Sequence, residues 1–143
     1  MAEFSVGARL LLAESELREY AAALWSELSD GAVLWLTGDL GTGKTAFARA
    51  ITAVASAEPA RSPTFALVHE YTCPDGLIVH VDCYRLREPS EALDIDFPEL
   101  LRHARLLAVE WPERGGPLVP AADAHVAFAH ADEEERRWLE RVV

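Results

Sequence analysis

Asparagine and glutamine are absent from this chain, and lysine occurs once, as Lys44. Any chemistry that needs a side-chain amide or a second lysine is therefore excluded. So is every N-x-[ST] glycosylation acceptor. Cysteine is limited to Cys73 and Cys83, which form no C-x-x-C pair. Two scattered thiols suit a reducing compartment better than a disulfide framework. No apolar run approaches the roughly 18 residues read as a membrane span. The opening residues carry only a late Arg9 and the short patch Leu10–Leu12, a poor signal peptide. These features point to a soluble cytoplasmic chain. Basic residues are also scarce: 13 Lys+Arg stand against 24 Asp+Glu, for a formal charge of −11. Such a balance argues against gripping a nucleic-acid backbone unaided. A length of 143 residues favours one domain, 1–143, able to bury about 68–70% of its unfolded surface without staples.

The apolar pattern gives a mixed α/β order. Leu17, Tyr20, Ala21, Leu24 and Leu28 recur at steps of three and four, predicting a helix over Ser15–Leu28 with Ser15 as N-cap. Ala32–Thr37 has the composition and length of a buried strand. Thr45–Ala55 reads as an alanine-rich helix, and Ser56–Pro63 as a loop. Phe65–Thr72 and Leu77–Asp82 predict a hairpin around Cys73-Pro74-Asp75-Gly76. Pro89–Asp94 and Pro98–His103 predict short helices opened by proline. Leu106–Glu110 is a second buried-type strand, followed by a loop over Glu113–Pro120. His125–His130 and Arg136–Val143 alternate as strands that would close the sheet antiparallel, with the charge block Asp132–Glu135 as a solvated turn.

Between the first strand and the next helix, Gly38-Asp39-Leu40-Gly41-Thr42-Gly43-Lys44-Thr45 satisfies G-x-x-x-x-G-K-[ST]. Glycines let the backbone curl so that successive N–H groups face phosphate oxygens, and the following helix adds its positive end. Lys44 would reach the outer phosphates and Thr45 would ligate Mg²⁺. These eight residues, with Ala46, are the candidate ATP-binding segment. A chance glycine-rich turn is the bland alternative. The strand before the string and the helix after it weigh against that alternative, and the single lysine falls where this chemistry needs one.

Nucleotide hydrolysis also needs an acid for the metal and a group to position water. In open α/β sheets, ligands gather at the carboxyl ends of strands. Two apolar strands end in carboxylates, LIVHV into Asp82 and LLAV into Glu110. Asp82 is the candidate magnesium acid and Glu110 the candidate for orienting water or completing the metal shell, with the two roles exchangeable. Either acid could instead only cap a strand or pair with an arginine. His80 shares a strand face with Asp82; a hydrogen-bonded strand histidine is a better reading than a His-x-Asp metal pair. Trp111 follows Glu110 directly, either against nucleotide or as an amphipathic residue at a strand end.

Ras-like GTPases need an N/T-K-x-D motif and a D-x-x-G motif, and neither exists here. ABC ATPases need a Q-loop glutamine, and the residues after Glu110 are too few and too strand-like for an AAA+ lid. A minimal ATPase or a small kinase remains.

The ordered set GDLGTGKT, Ser62-Pro63-Thr64-Phe65, His80-Val81-Asp82-Cys83-Tyr84-Arg85-Leu86 and Glu110-Trp111-Pro112 resembles the TsaE family (older name YjeE), small ATPases of bacterial tRNA threonylcarbamoyladenosine biosynthesis. The resemblance implies an α/β fold: a single P-loop NTPase domain, with a parallel core sheet, antiparallel flanking strands and helices on its faces. It implies ATP and Mg²⁺ as cofactors, and a TsaD–TsaB complex as the partner that this chain keeps cycling by hydrolysis. Contact with tRNA would be only indirect, through those partners. Ser62 and Thr64 would belong to a switch-like loop sensing the γ-phosphate. Lys44, Asp82 and Glu110 would form the catalytic set, with Thr45, Asp82 and Glu110 around the metal and Trp111 beside the nucleotide. Without glutamine, Glu110 or a partner must position water. Arg85 and Arg87, just past Asp82, would stabilise phosphate charge or contact the partner, and if neither does the former, slow hydrolysis by the isolated chain is expected. The competing readings are a small-molecule kinase whose acceptor is clamped by Arg85, Arg87 and Arg114, and a non-catalytic nucleotide-responsive adaptor.

Overall fold

A computed structural model describes residues 2–59 and 67–143. Strand β2 (Ala32–Thr37) and strand β6 (Ala104–Glu110) are almost continuously buried, as expected of parallel strands covered on both faces. They pair parallel with each other, β5 (Gly76–Asp82) pairs parallel with β6, and β7 (Ala124–His130) pairs parallel with β2. Antiparallel strands extend this core at both edges. One edge carries β8 (Arg136–Arg141) and then β1 (Arg9–Ala13); the other carries β4 (Val68–Cys73) and the two-residue β3 (Glu58–Pro59). The order across the eight strands is β1-β8-β7-β2-β6-β5-β4-β3.

The two faces of the sheet build two cores. Helices α1 (Leu17–Glu27) and α2 (Lys44–Val54) cover one face. There Leu17, Leu24, Phe47 and Ile51 meet Leu34, Leu36, Leu106 and Val126. The other face carries Val33, Val79, Val81, Leu107 and Val109. It is covered by a 3₁₀ segment (Pro89–Ile95) and by α3 (Phe97–His103). Strand parity then fixes the site. Ile78 and Leu106 point toward the helix α2 face, so His80, Asp82, Ala108 and Glu110, at even steps along the same strands, point there too.

The structure corrects several expectations. Ser15 does not cap α1, because it lies inside a 3₁₀ turn, Glu14–Glu16. Glu16 stands at the N-cap of α1 without a side-chain bond to that helix, and its carboxylate instead accepts the Ala13 N–H at 3.0 Å, closing the turn. The Glu113–Pro120 segment is not a plain loop, since Pro112–Gly115 forms one short helix, α4, and Gly116–Leu118 a 3₁₀ turn. This connection carries the chain across the sheet, so β7 enters parallel to β2 rather than antiparallel. Only β8, reached through the tight exposed turn around Asp132–Glu135, runs antiparallel to it. The edge strand β1 was not foreseen, because only Leu12 of its five residues is buried. No helix among the described residues is long and apolar enough to cross a membrane.

Candidate functional site

The chain leaves β2 at Thr37 and turns through Gly38, Asp39, Leu40, Gly41, Thr42 and Gly43 before α2 begins at Lys44. Backbone geometry dictates glycine at the first bend. Gly38 sits at φ +134°, and a Cβ there would lie 2.3 Å from the carbonyl oxygen of Phe128 on the neighbouring β7. Gly38→Ala is therefore expected to destabilise the fold by about 2 kcal/mol or more, because positive φ and a backbone clash add. A melting curve indistinguishable from wild type would contradict that. Inside the turn the Thr42 hydroxyl donates to the Asp39 carbonyl at 2.7 Å, which tightens the loop around its open centre.

Lys44 is only 4% exposed. Its Nζ donates to the carbonyls of Gly38 and Asp39, at 2.5 and 2.8 Å, and lies 4.6 Å from the centre of the Trp111 ring. Burial pushes the ammonium's pKa down, and the negative charges of Glu110, Asp82, Glu113 and Asp39 offset part of that fall. One residue on, the Thr45 hydroxyl donates to the Glu110 carboxylate, 3.1 and 3.0 Å from its two oxygens. Glu110 is 3% exposed and also bonds the His80 Nε2 at 2.6 Å. Burial alone would raise this carboxyl's pKa. The hydrogen bond and charge of His80, the Thr45 hydroxyl and the charge of Lys44 outweigh burial and hold it below the usual 4.5.

Asp82 and Glu110 are register partners at the ends of β5 and β6. Asp82 folds one oxygen back onto the Tyr84 N–H at 2.9 Å. Both acids border a cleft of about 260 Å³ that also touches Gly41, Gly43, Lys44, Thr45, Ala46 and Tyr84. A smaller opening of about 150 Å³ lies behind the same two acids, against His69, Tyr71 and His80. Trp111, at φ +56° in the turn into α4, packs on Tyr84 with ring centres 5.1 Å apart and has the Lys44 ammonium beside its ring. The structure thus gathers Gly38–Ala46, Asp82, Glu110 and Trp111 at one end of the sheet. Ser62 and Thr64 lie outside the described residues.

The donors available suit a phosphate-bound magnesium ion. Among the described residues no cluster of three or more His, Cys, Asp or Glu could hold a metal alone. A hydroxyl beside one or two carboxylates, completed by substrate phosphates, is the usual magnesium arrangement. The His80 Nε2 is taken up by Glu110, in keeping with a hydrogen-bonded strand histidine.

Three residues near the site carried no assigned role in the sequence. Tyr84 is part of the quoted H-V-D-C-Y-R-L string, and only its packing on Trp111 reveals its place. His130 bonds the Leu40 carbonyl at 3.0 Å, and Arg137 lies against Gly43. Both come from the alternating strands β7 and β8, whose pattern carries no motif. Arg85, Arg87 and Arg114 converge around a separate cavity of about 750 Å³ that shares Tyr84 as a wall with the cleft at the loop. There the Arg114 guanidinium stacks on Tyr84 at 4.5 Å and on Trp111 at 5.0 Å.

A strand, a glycine-rich turn and a helix on a parallel core, with acids at the ends of the two strands next in line, define a P-loop NTPase-type fold. The crystal structure of Bacillus subtilis YdiB has this same fold, with a TM-score of 0.70 at 21% identity, covering 94% of this chain and 85% of that one. The chain belongs to the TsaE family: the family model "Threonylcarbamoyl adenosine biosynthesis protein TsaE" matches residues 11–138. Proteins named tRNA threonylcarbamoyladenosine biosynthesis protein TsaE are similar along most of their length. The one from Rickettsia bellii is 34% identical over 129 residues, covering 89% of each chain. The Aquifex aeolicus protein is 34% identical over 131 residues, covering 90% of each. The Nostoc protein is 34% identical over 135 residues, covering 90% of this chain and 82% of its own. A role in the threonylcarbamoyladenosine modification of tRNA follows from this membership.

Proposed function

We propose that the chain binds ATP with Mg²⁺ at Gly38–Ala46 and hydrolyses it as a cytoplasmic accessory ATPase, acting on a TsaD–TsaB complex that itself holds the tRNA. The observation that carries this reading is the Thr45–Glu110 hydrogen bond, which joins the first turn of the loop's own helix to an acid on the adjacent strand. In this reading Lys44 leaves the carbonyls of Gly38 and Asp39 for the outer phosphates of the nucleotide. Thr45 and Glu110 would hold the metal, which would supply positive charge against the negative charge that develops on the phosphoryl oxygens. Asp82, with one oxygen committed to the Tyr84 N–H, uses the other to position water or to complete the metal shell. Trp111 covers the Lys44 ammonium and keeps bulk water from it. The charge of −11 fits a protein whose partners, rather than itself, hold the nucleic acid.

The test is ATP turnover by the pure chain with and without purified TsaD–TsaB. Slow turnover alone and at least about tenfold stimulation by the complex are expected, since positioning and charge stabilisation are left partly to the partner. Rapid turnover by the isolated chain, or indifference to the complex, would contradict the reading.

A small-molecule kinase is the second reading, favoured by the convergence of Arg85, Arg87 and Arg114 on one cavity beside Tyr84. It requires turnover that depends on an anionic metabolite, with phosphate appearing on that metabolite. Family membership places it second.

A further inference from the structure

Arg137 approaches the glycine-rich loop from the flank opposite Glu110 and Asp82. It lies on β8, where its register partner on β7 is His130. The strand order puts β7 and β8 on one side of β2, and β6 and β5 on the other. The guanidinium packs on Gly43: its Nη1, Cζ and Nε stand 3.2, 3.5 and 3.7 Å from where a Cβ on that glycine would lie. The Nε and Nη1 of Arg137 are buried without a hydrogen-bond partner, the only such side-chain atoms among the described residues. Arg141, four residues along β8 and on the same strand face, shows how this fold treats a buried guanidinium that serves structure alone. Its nitrogens are bonded to the carbonyls of Phe4 and Val143 and to the Glu27 carboxylate.

A guanidinium does not lose its proton in a protein, so burial cannot neutralise it. Leaving its buried Nε and Nη1 without acceptors is costly unless a countercharge arrives. Gly43 is the residue from which α2 starts, and a helix N-terminus already favours an anion there. We propose that Arg137 is a nucleotide-binding residue, whose charge is balanced by the polyphosphate of the nucleotide at the end of the phosphate chain remote from Thr45 and Glu110. This rests on the reading of Gly38–Ala46 as the nucleotide site. Phosphate would then be held from both flanks, by Lys44 toward β6 and by Arg137 from β8. His130, bonded to the Leu40 carbonyl, steadies the turn between them.

An uncharged replacement that keeps an unbranched apolar stem separates this role from a structural one. In nucleotide-free buffer, Arg137→Met should melt at the wild-type temperature or higher, because it removes two buried guanidinium N–H groups that lack acceptors. Calorimetric titration of the same variant should show ATP and ADP affinity each reduced by a similar factor of about ten or more, the worth of a charge-assisted contact. ADP is affected equally because the contact lies away from the terminal phosphate. Arg137→Lys should recover most of the affinity. Binding of ATP by Arg137→Met within twofold of wild type would overturn the proposal. So would a lowered melting temperature combined with an affinity loss that lysine does not repair. Failure of the wild-type protein itself to bind ATP would remove the nucleotide site and this inference together, a result distinguishable because no variant is involved.

Discussion

Lys44→Ala is expected to weaken ATP binding by about a hundredfold or more, the worth of two charge-assisted phosphate contacts, with the fold intact. The direction of this effect follows from what Lys44 does before nucleotide arrives. Its ammonium is nearly inaccessible, and burial lowers its pKa. Its hydrogen bonds go to two carbonyls of its own loop rather than to any carboxylate. Losing those bonds frees the carbonyls of half-buried Gly38 and exposed Asp39, which water reaches once the side chain is gone, so the cost to stability is small. Loss of binding cannot be made good locally, because the chain has no second lysine. Arg114 is occupied by Tyr84, and Arg137 stands on the other flank. Calorimetric titration with ATP, paired with a thermal melt, checks both halves. Affinity within tenfold of wild type would refute the assignment of the loop, whereas a collapsed melt would show Lys44 to be structural.

How much of this was legible in the sequence depends on whether the signal was local. The loop Gly38–Thr45 was legible because its requirements are properties of neighbouring residues: glycines, which take positive φ at Gly38, Gly41 and Gly43, then a helix, which starts at Lys44, one residue before the Thr45 expected. Strand β2 was placed to the residue, and the β4–β5 hairpin to within a few, because apolar runs bounded by turn residues are also local. Asp82 and Glu110 were singled out as strand-terminal acids, but their coupling was invisible. Nothing in the spacing of Thr45, His80 and Glu110 says that three elements will converge on one carboxylate. That convergence follows from β6 lying between β2 and β5, an order set by tertiary packing. The direction of β7 was missed for the same reason, since alternation marks a strand but not its orientation. Arg137 and His130 were not weighed because they sit on outer strands whose contacts with the loop span 90 residues of sequence or more.

Glu110→Gln should separate the catalytic worth of this carboxylate from its structural worth. Turnover stimulated by TsaD–TsaB is expected to fall by about two orders of magnitude or more, the usual effect of deleting one preorganised polar group at a reacting phosphoryl centre. The amide preserves the shape of the side chain and can still accept from Thr45, so a turnover loss of this size reports lost charge rather than a lost contact. The structural half appears in the acid limb of stability, measured in magnesium-free, nucleotide-free buffer. Glu110 titrates below 4.5 in the folded protein because His80, Thr45 and Lys44 favour its ionised form against burial. A carboxyl depressed in this way stabilises the fold fully above its unfolded value, and that stability disappears as pH falls through the folded value. From pH 4.5 downward, wild type should therefore lose stability more steeply than Glu110→Gln, and their unfolding free energies should approach each other. Parallel acid limbs would mean that the carboxylate is not held in its charged form by those three partners. In that case the cluster around Thr45 would not be preorganised to receive a metal-bound phosphate. A steeper wild-type limb together with lost turnover would mean that the same charge that holds β6 against α2 also serves the reaction, with Lys44 and His80 as its partners in both.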